Sequence, residues 1–433
     1  VLLQDLKTRG LIYQTSGVEN LADHLESGQR TLYCGFDPTA GSLHLGHLLP
    51  LLVLRRFQLH SHRPILVIGG ATGLIGDPSG RNRERPLNSL EKASEWAQGI
   101  QVQASRYLDF SRSKSQAMVV NNLDWTRSVR LIDFLRDTGK HFTLNTMIQK
   151  ESVRSRLHQD EAGISFTEFS YMLLQSLDYY ELAKQYGCSL QIGGSDQWGN
   201  ITSGIDLVRR KLRLRVHGLT LPLITKADGT KFGKSDGSGT IWLNPKYTSP
   251  YQFYQFWVNT ADADVSNMLS LFTFLSSEER QTLLTEHQKK PEKRVAQFQL
   301  ARKMTQLVHG KEGLAAAERI TQALFDGRQS LLNSEDFVQL EQDGLPCLEL
   351  TDTTIPLRSV FAKTGLAKST SAFKDAMNKQ AVSVNGKAVH RFDARIDDFT
   401  ALHGRWFLLR FGKRKWAMAI TSSPEHSTDS RGE

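Results

Sequence analysis

The chain has 433 residues, 54 Lys or Arg against 45 Asp or Glu (formal net charge +9), a hydrophobic fraction of 39% and a charged fraction of 23%. That length is too great for a single core and predicts two to four domains of ~100–200 residues, and the composition is that of a soluble globular protein. The longest nearly uncharged apolar stretch, Pro64 to Gly76, is glycine-rich and shorter than the ~20 residues of a bilayer span; three dispersed cysteines (Cys34, Cys188, Cys347) exclude a disulfide framework and a zinc knuckle, so a reducing compartment is expected.

In chain order, Leu2 to Leu25 has the spacing of an amphipathic helix that stops at Ser27-Gly28. Asp5, Lys7 and Arg9 among its leucines fit neither a signal sequence nor an acid-free transit peptide, although a start at Val1 leaves open a leader removed upstream. Thr31 to Phe36 reads as a strand, Asp37 to Gly41 as a turn, and His44 onward through Arg55 as a helix. His44 and His47 therefore fall at a helix start, where unpaired N–H groups and the positive end of the dipole favour phosphate. Gly46 between them leaves room for a flat ring to pack on the backbone. A metal pair and two ordinary helix-start histidines are the competing readings.

Pro64 to Gly70 is a continuous apolar run, the mark of a strand buried on both faces, so strand, helix and strand make a βαβ unit of a parallel sheet. Ligands of such sheets bind at the carboxyl ends of the strands, where the loops Asp37–Gly41 and Gly69–Gly80 emerge. The second loop fits neither the dinucleotide nor the Walker pattern, but it brings Asp77 next to Arg81, Arg83 and Arg85. Residues 86–160 read as mostly helical and polar and offer no chemistry of their own. In Phe166 to Asp178, Phe169, Met172, Leu173 and Leu177 make one helix face and Tyr171, Gln175 and Asp178 a second, polar stripe, either a pocket wall or a solvent face. Ser189 to Ile192 is a short strand that runs into Gly193-Gly194-Ser195-Asp196; Asp196 is placed to accept hydrogen bonds from ribose or to cap the helix from Asn200 to Lys211. Leu221 to Ser235 is a flexible loop with Lys231 and Lys234, mobile cations suited to charge that develops on phosphate late in a reaction.

Helices follow from Ser249 to about Gly327, then an acidic stretch, Glu335 to Glu349. Residues 350–421 hold 13 Lys or Arg and 5 Asp or Glu, so this short segment carries +8 of the net +9, the footprint of a polyanion partner or a solvated lysine-rich surface. Within it, Ser369 can cap a helix to Lys379, and hairpins are expected on Asn385-Gly386 and on Gly412 to Lys415. The tail 422–433 is polar.

Taken together, His44-Leu45-Gly46-His47 and Lys231-Phe232-Gly233-Lys234-Ser235 resemble the two signature motifs of class I aminoacyl-tRNA synthetases. Tyr33 to Thr39, Gly76 to Gly80, the Tyr171, Gln175, Asp178 helix and Gln191 to Asn200 resemble specifically the bacterial or organellar tyrosyl-tRNA synthetases, and the likeness runs over nearly the whole chain. The resemblance implies an α/β fold: a Rossmann-like parallel-sheet catalytic domain with a dimer-forming insertion (1–222), a loop linker (223–249), an α-helical domain (250–330), a linker (331–349), a small basic α+β RNA-binding domain (350–421) and a polar tail (422–433). It implies L-tyrosine, ATP with Mg2+ and tRNA(Tyr) as partners, and a homodimer joined near Phe134 to Phe142. The expected compartment is the cytoplasm, with the mitochondrial matrix as the alternative if a leader was removed.

For site residues the resemblance implies that Thr39 and His44 contact the pyrophosphate end of ATP and His47 the nucleotide near its ribose. Lys231, Lys234 and Ser235, with Arg81 and Arg85, would close over the departing pyrophosphate. Cys34 and Asp196 would hold the ribose, and Gly35, Asp37, Gly46 and Gly194 would complete the ATP site. Gln197 would orient the tyrosine carboxylate, Asp77, Tyr171 and Gln175 would bind its ammonium group, and Tyr33 and Asp178 its phenol. No resident metal is expected. Pro50, just inside the histidine helix, departs from many relatives.

Overall fold

Two kinds of sheet divide the chain, one largely parallel and one largely antiparallel. The structure, a computed structural model, describes residues 1–79, 89–111, 113–157, 163–227, 229–230, 232–233 and 239–421. It falls into two compact units, the first of Val1–Asn244 and Thr260–Ala296, the second of Pro245–Asn259 and the chain from Gln297 onward.

The first unit is built on β1 (Gln14–Thr15), β2 (Thr31–Phe36), β3 (Arg63–Ile68), β4 (Met118–Asn121), β5 (Cys188–Gly194) and β6 (His217–Leu221). Their order is β1-β6-β5-β2-β3-β4, parallel throughout except for the antiparallel edge pair β1 and β6. Pro64 to Ile68 is buried at every position, as both-face coverage by helices requires. The Leu45–Leu59 helix carries the chain from β2 to β3, and the Trp198–Leu212 helix carries it from β5 to β6. Strand order thus reverses between β2 and β5, and a cleft opens at such a switch point.

Three expectations for this unit change. The amphipathic stretch from Leu2 is two helices, Leu2–Thr8 and Val18–Glu26, separated by β1; Gly10 (φ 73°) and Gly17 (φ 120°) adopt backbone conformations that break a helix. The loop after β3 contains a helical turn, Thr72–Ile75. Residues 86–160 include the edge strand β4, whose four residues are too few to show a period. Among the described residues no helix is long and apolar enough to cross a membrane.

The second unit holds β7 (Cys347–Leu350), β8 (Val382–Val384), β9 (Lys387–Ala388), β10 (Trp406–Phe411) and β11 (Lys415–Thr421) in the order β7-β11-β10-β8-β9. Both expected hairpins are present, and Ser369 caps the Thr370–Asn378 helix by accepting from the Ala372 N–H. Alternation along β10 and β11 serves two cores. Phe407, Leu409, Ala417 and Ala419 face the helices Leu357–Lys363 and Thr370–Asn378, while Trp406, Leu408, Trp416, Met418 and Ile420 pack on Ile320, Leu324, Phe337 and Leu340. Phe337 stacks on Trp406 at 5.1 Å and 8°. The acidic stretch read as a linker is therefore structural: it forms the Ser334–Gln342 helix, whose buried Phe337 and Leu340 join this core, and β7, which pairs with β11. Its acid content misled because Glu335 and Asp336 occupy the helix's first turn, where they suit the dipole.

Candidate active site

The carboxyl ends of β2, β3, β5 and β6 open into one cavity of about 930 Å3. Its wall collects Tyr33, Cys34, Gly35, Asp37, Thr39, His44, Gly46, His47, Asp77, Tyr171, Gln175, Asp178, Gly194, Asp196 and Gln197, residues spread over more than 160 positions of sequence. Arg81, Arg85, Lys231, Lys234 and Ser235 lie outside the described residues, as does the tail 422–433.

At one end stands Asp178, buried in the middle of the Phe166–Tyr186 helix. Its two oxygens accept from Trp125 Nε1 (2.9 Å) and Asn122 Nδ2 (3.0 Å). Burial raises its pKa to about 7, an effect that these two donors oppose and that Asp37 reinforces. The Tyr33 ring packs edge-on against Tyr179 at 5.2 Å, and the Tyr33 hydroxyl is buried without a hydrogen-bond partner. Desolvation and the neighbouring Asp178 push its pKa far up, so it stays a neutral O–H. Gln191, the register partner of Tyr33 on β5, also leaves a buried oxygen without a partner in the same cavity. Buried polar groups are rarely left unpaired, so these atoms mark where a polar ligand belongs.

Beside them runs a second network. Tyr171 donates to Asp37 Oδ2 (2.7 Å) and Thr72 to Asp37 Oδ1 (2.6 Å), and Asn122 Nδ2 also reaches Thr72 Oγ1 (2.9 Å). One chain of hydrogen bonds thus links Asp37 to Asp178. Asp77 accepts from the Ser79 N–H (2.9 Å) and from Gln197 Nε2 (2.6 Å), while Asn200 Nδ2 reaches Gln175 Oε1 (3.1 Å). Asp77, Tyr171 and Gln175 thereby share one polar wall rich in acceptors, suited to an ammonium group. The polar stripe on that helix is a pocket wall, since Tyr171 and Asp178 are both buried.

At the other side His44 is the N-cap of the Leu45–Leu59 helix rather than part of its first turn. Its Nδ1 accepts from the Gly46 N–H (3.0 Å), and the His44 N–H donates to His47 Nδ1 (3.3 Å), a reciprocal cap made by two imidazoles. The rings stack at 3.9 Å and 26°. A Cβ at Gly46 would lie 2.8 Å from His44 Cε1, so the flat ring this glycine admits is that of His44 itself. Because each Nδ1 is an acceptor, each neutral ring carries its proton on Nε2, a donor for a phosphate oxygen. Among the described residues no group of three or more His, Cys, Asp or Glu is placed to hold a metal.

Pro50 sits inside the helix, so the Gly46 carbonyl lacks its helical donor, and the proline ring lines the cavity. Cys34 lines the wall as a thiol whose pKa burial raises to about 12. Asp196 also faces the cavity; the helix after it has Gln197 at its N-cap with no side-chain bond, so the capping reading of Asp196 does not hold.

Residues 86–160, expected to carry no chemistry, supply both partners of Asp178. Asn122 and Trp125 were missed because a lone Asn and a lone Trp beside a short strand give no pattern. A tryptophan with its N–H buried needs an acceptor, and that was the available signal.

A parallel-sheet pocket that pairs a phosphate-friendly histidine helix with an amino-acid site is the class I tRNA synthetase arrangement. The family profile "tRNA synthetases class I (W and Y)" matches residues 26–326, and that of the "Tyrosine--tRNA ligase SYY-like C-terminal domain" matches residues 336–419. The tyrosine–tRNA ligase of Aliivibrio fischeri is 54% identical over 97% of this chain and 98% of its own, and that of Yersinia enterocolitica 51% identical over 96% and 98%. A C-terminally truncated mitochondrial tyrosyl-tRNA synthetase of Aspergillus nidulans superposes with a TM-score of 0.67 at 30% identity, over 75% of this chain and 94% of its own. The chain belongs to the tyrosine–tRNA ligase family, of bacterial type.

Proposed function

We propose that the cavity activates L-tyrosine with ATP through the residues described above, in the reaction by which this family charges tRNA with tyrosine. The observation that carries the reading is the Tyr33 hydroxyl, buried and unpaired beside Asp178. A phenol placed there donates to Asp178 and accepts from Tyr33, whereas a phenylalanine ring leaves the Tyr33 hydroxyl unsatisfied and gives Asp178 no further donor. Tyrosyl-tRNA synthetases are the usual worked example of this effect, with discrimination of ~10⁵ and no editing step. Tryptophan enzymes share the first profile, but an indole offers no oxygen to the Tyr33 hydroxyl.

In the first step the tyrosine carboxylate, already ionised, attacks the α-phosphorus of ATP; the bond to the bridging oxygen breaks and pyrophosphate leaves with the electron pair. No general base is needed, so alignment and charge stabilisation carry the rate. Asp77, Tyr171 and Gln175 hold the ammonium group, Gln197 turns the carboxylate toward phosphorus, and Thr39 and the Nε2–H of His44 meet charge growing on the phosphates. His47, Cys34, Asp196 and the backbone at Gly35, Gly46 and Gly194 form the nucleotide side, and Asp37 braces Tyr171. Arg81, Arg85, Lys231, Lys234 and Ser235 are assigned to the departing pyrophosphate. Mg2+ would come bound to the phosphates of ATP and would offset negative charge on the departing pyrophosphate.

Transfer to tRNA adds the basic segment. Lys363, Lys368, Lys374, Lys379, Lys387, Lys413, Arg414 and Lys415 are all exposed, while Arg391 and Arg395 take up Asp393, Asp397 and Asp398. These exposed cations are assigned to the tRNA backbone. A homodimer is supported by exposed aliphatics in the first unit, Leu131 (71%), Ile132 (69%) and Leu144 (64%); Phe134 and Phe142 themselves turn inward onto Met147 and Met172. The bacterial relatives support a cytoplasmic setting. Tyrosine-dependent ATP–pyrophosphate exchange tests the central reading: incorporation with tyrosine and not with phenylalanine or tryptophan is expected, and equal rates with phenylalanine would overturn the assignment of Tyr33 and Asp178.

A further inference from the structure

The backbone around His44 is held by a segment far away in sequence. Leu243 N–H donates to the Leu43 carbonyl (2.8 Å) and Leu45 N–H to the Ile241 carbonyl (3.1 Å), which makes His44 and Trp242 partners in an antiparallel bridge. Ile241 and Leu243 are buried on either side of Trp242, so the bridge is anchored by apolar side chains as well as by hydrogen bonds. One residue further out, Asn244 N–H donates to Ser42 Oγ (3.2 Å), and Ser42 Oγ in turn donates to Gln103 Oε1 (3.0 Å). Within this frame the Trp242 ring meets the His44 ring at 6.0 Å and 63°, an edge-to-face contact, while His47 stacks on His44 at 3.9 Å.

Contacts of different kinds bear on the His44 ring, among them the Gly46 N–H in its ring plane, the stacked His47 and the edge-to-face Trp242. The first two come from its own helix start, and the stacked His47 is itself met edge-on by Phe36 of β2 at 6.1 Å. Trp242 comes from outside that helix and meets the His44 ring directly, whereas Phe36 acts through His47. We propose that Trp242 is a positioning residue for His44, setting the direction in which the imidazole Nε2–H meets phosphate oxygen during adenylate formation. This rests on the role given to His44 above.

The test uses the full chain, with tyrosine-dependent pyrophosphate exchange resolved into kcat and KM, together with tyrosine binding and thermal unfolding. A small misplacement of a group that acts on a transition state costs up to ~100-fold in rate. Trp242→Leu is therefore expected to lower kcat about 10- to 100-fold with the KM for tyrosine unchanged, and Trp242→Phe, which keeps an aromatic edge, to recover most of the rate. In a His44→Ala background Trp242→Leu is expected to cause no further loss, because the residue it positions is gone. Should Trp242→Leu fail to fold, Trp242→Phe carries the same test: a drop of a few-fold in the wild-type background and none in His44→Ala. Wild-type kcat for Trp242→Leu, losses that multiply in the double variant, or a KM for tyrosine that rises in step would each overturn the proposal. If His44→Ala itself exchanges at the wild-type rate, it is the role of His44 that fails; if His44→Ala is slow while Trp242→Leu is not, only the inference about Trp242 fails.

Discussion

Asp178 is where recognition of a phenol is expected to cost the fold stability, and the cost has a sign and a pH window. Its carboxyl titrates near 7 in the folded protein against an ordinary value of 3.8, chiefly because it is buried. Between about pH 4 and 7 the folded chain keeps a proton that the unfolded chain releases, so stability falls as pH rises through that window and levels off above it. A shift of about three units is worth ~4 kcal/mol at most, of which ~3 kcal/mol is lost between pH 5 and 8. Asp178→Asn cannot titrate and removes this slope. It also turns an amide N–H toward Trp125 or Asn122, both donors, at ~1–3 kcal/mol. The variant should therefore be less stable than wild type in acid and overtake it by pH 8. Hydrogen exchange on β2 in graded denaturant is the suitable assay, because two units need not unfold as one. His24, whose pKa burial lowers to about 4, gives the opposite slope but is common to both proteins and cancels in the difference. Stability profiles that run parallel from pH 5 to 8 would refute the reasoning.

His44→Ala should slow exchange ~100- to 1000-fold, the usual loss for one donor to a developing oxyanion, with tyrosine binding by equilibrium titration unchanged. Tyr33→Phe removes one hydrogen bond to the substrate phenol and should narrow the tyrosine-to-phenylalanine ratio of kcat/KM by about tenfold; an unchanged ratio would remove Tyr33 from the recognition site. Replacing Lys413, Arg414 and Lys415 with Glu should leave exchange intact, weaken tRNA charging, and flatten the log–log salt dependence of tRNA binding by ~0.7–0.9 for each phosphate no longer neutralised. Deleting residues 350–433 is the poorer test, since it strips the sheet from Ile320, Leu324, Phe337 and Leu340 and should aggregate the remainder.

What could be read from the chain in advance follows the range of the interactions. The histidine cap is legible because His44, Gly46 and His47 act on each other within one turn. The pocket end is legible in part: Asp178 sits on a helix stripe and Tyr33 on a buried strand, but only the β2 and β5 register sets Gln191 beside Tyr33. Asn122 and Trp125 are silent in sequence because their work is to complete a carboxylate that is 53 or 56 residues away. Residues 331–349 failed for a related reason: net acidity did not reveal that Asp336 is buried in an ion pair with Arg319, or that Phe337 and Leu340 decide where the Ser334–Gln342 helix packs.

The same logic applies to the proposed ATP site, whose assigned residues are far apart in the chain. A helix start can hold phosphate by itself, but its imidazoles need a fixed direction, and a cap built only from residues two and three apart leaves that direction to the helix terminus. The antiparallel bridge between 43–45 and 241–243 supplies a constraint from outside the helix. It also ends the segment that carries Lys231 and Lys234, so one short pairing puts the residues after that segment against the residues that open the histidine helix. An arrangement of this kind makes positioning a property of the fold, and local changes at Trp242 should then be felt in kcat before they are felt in binding.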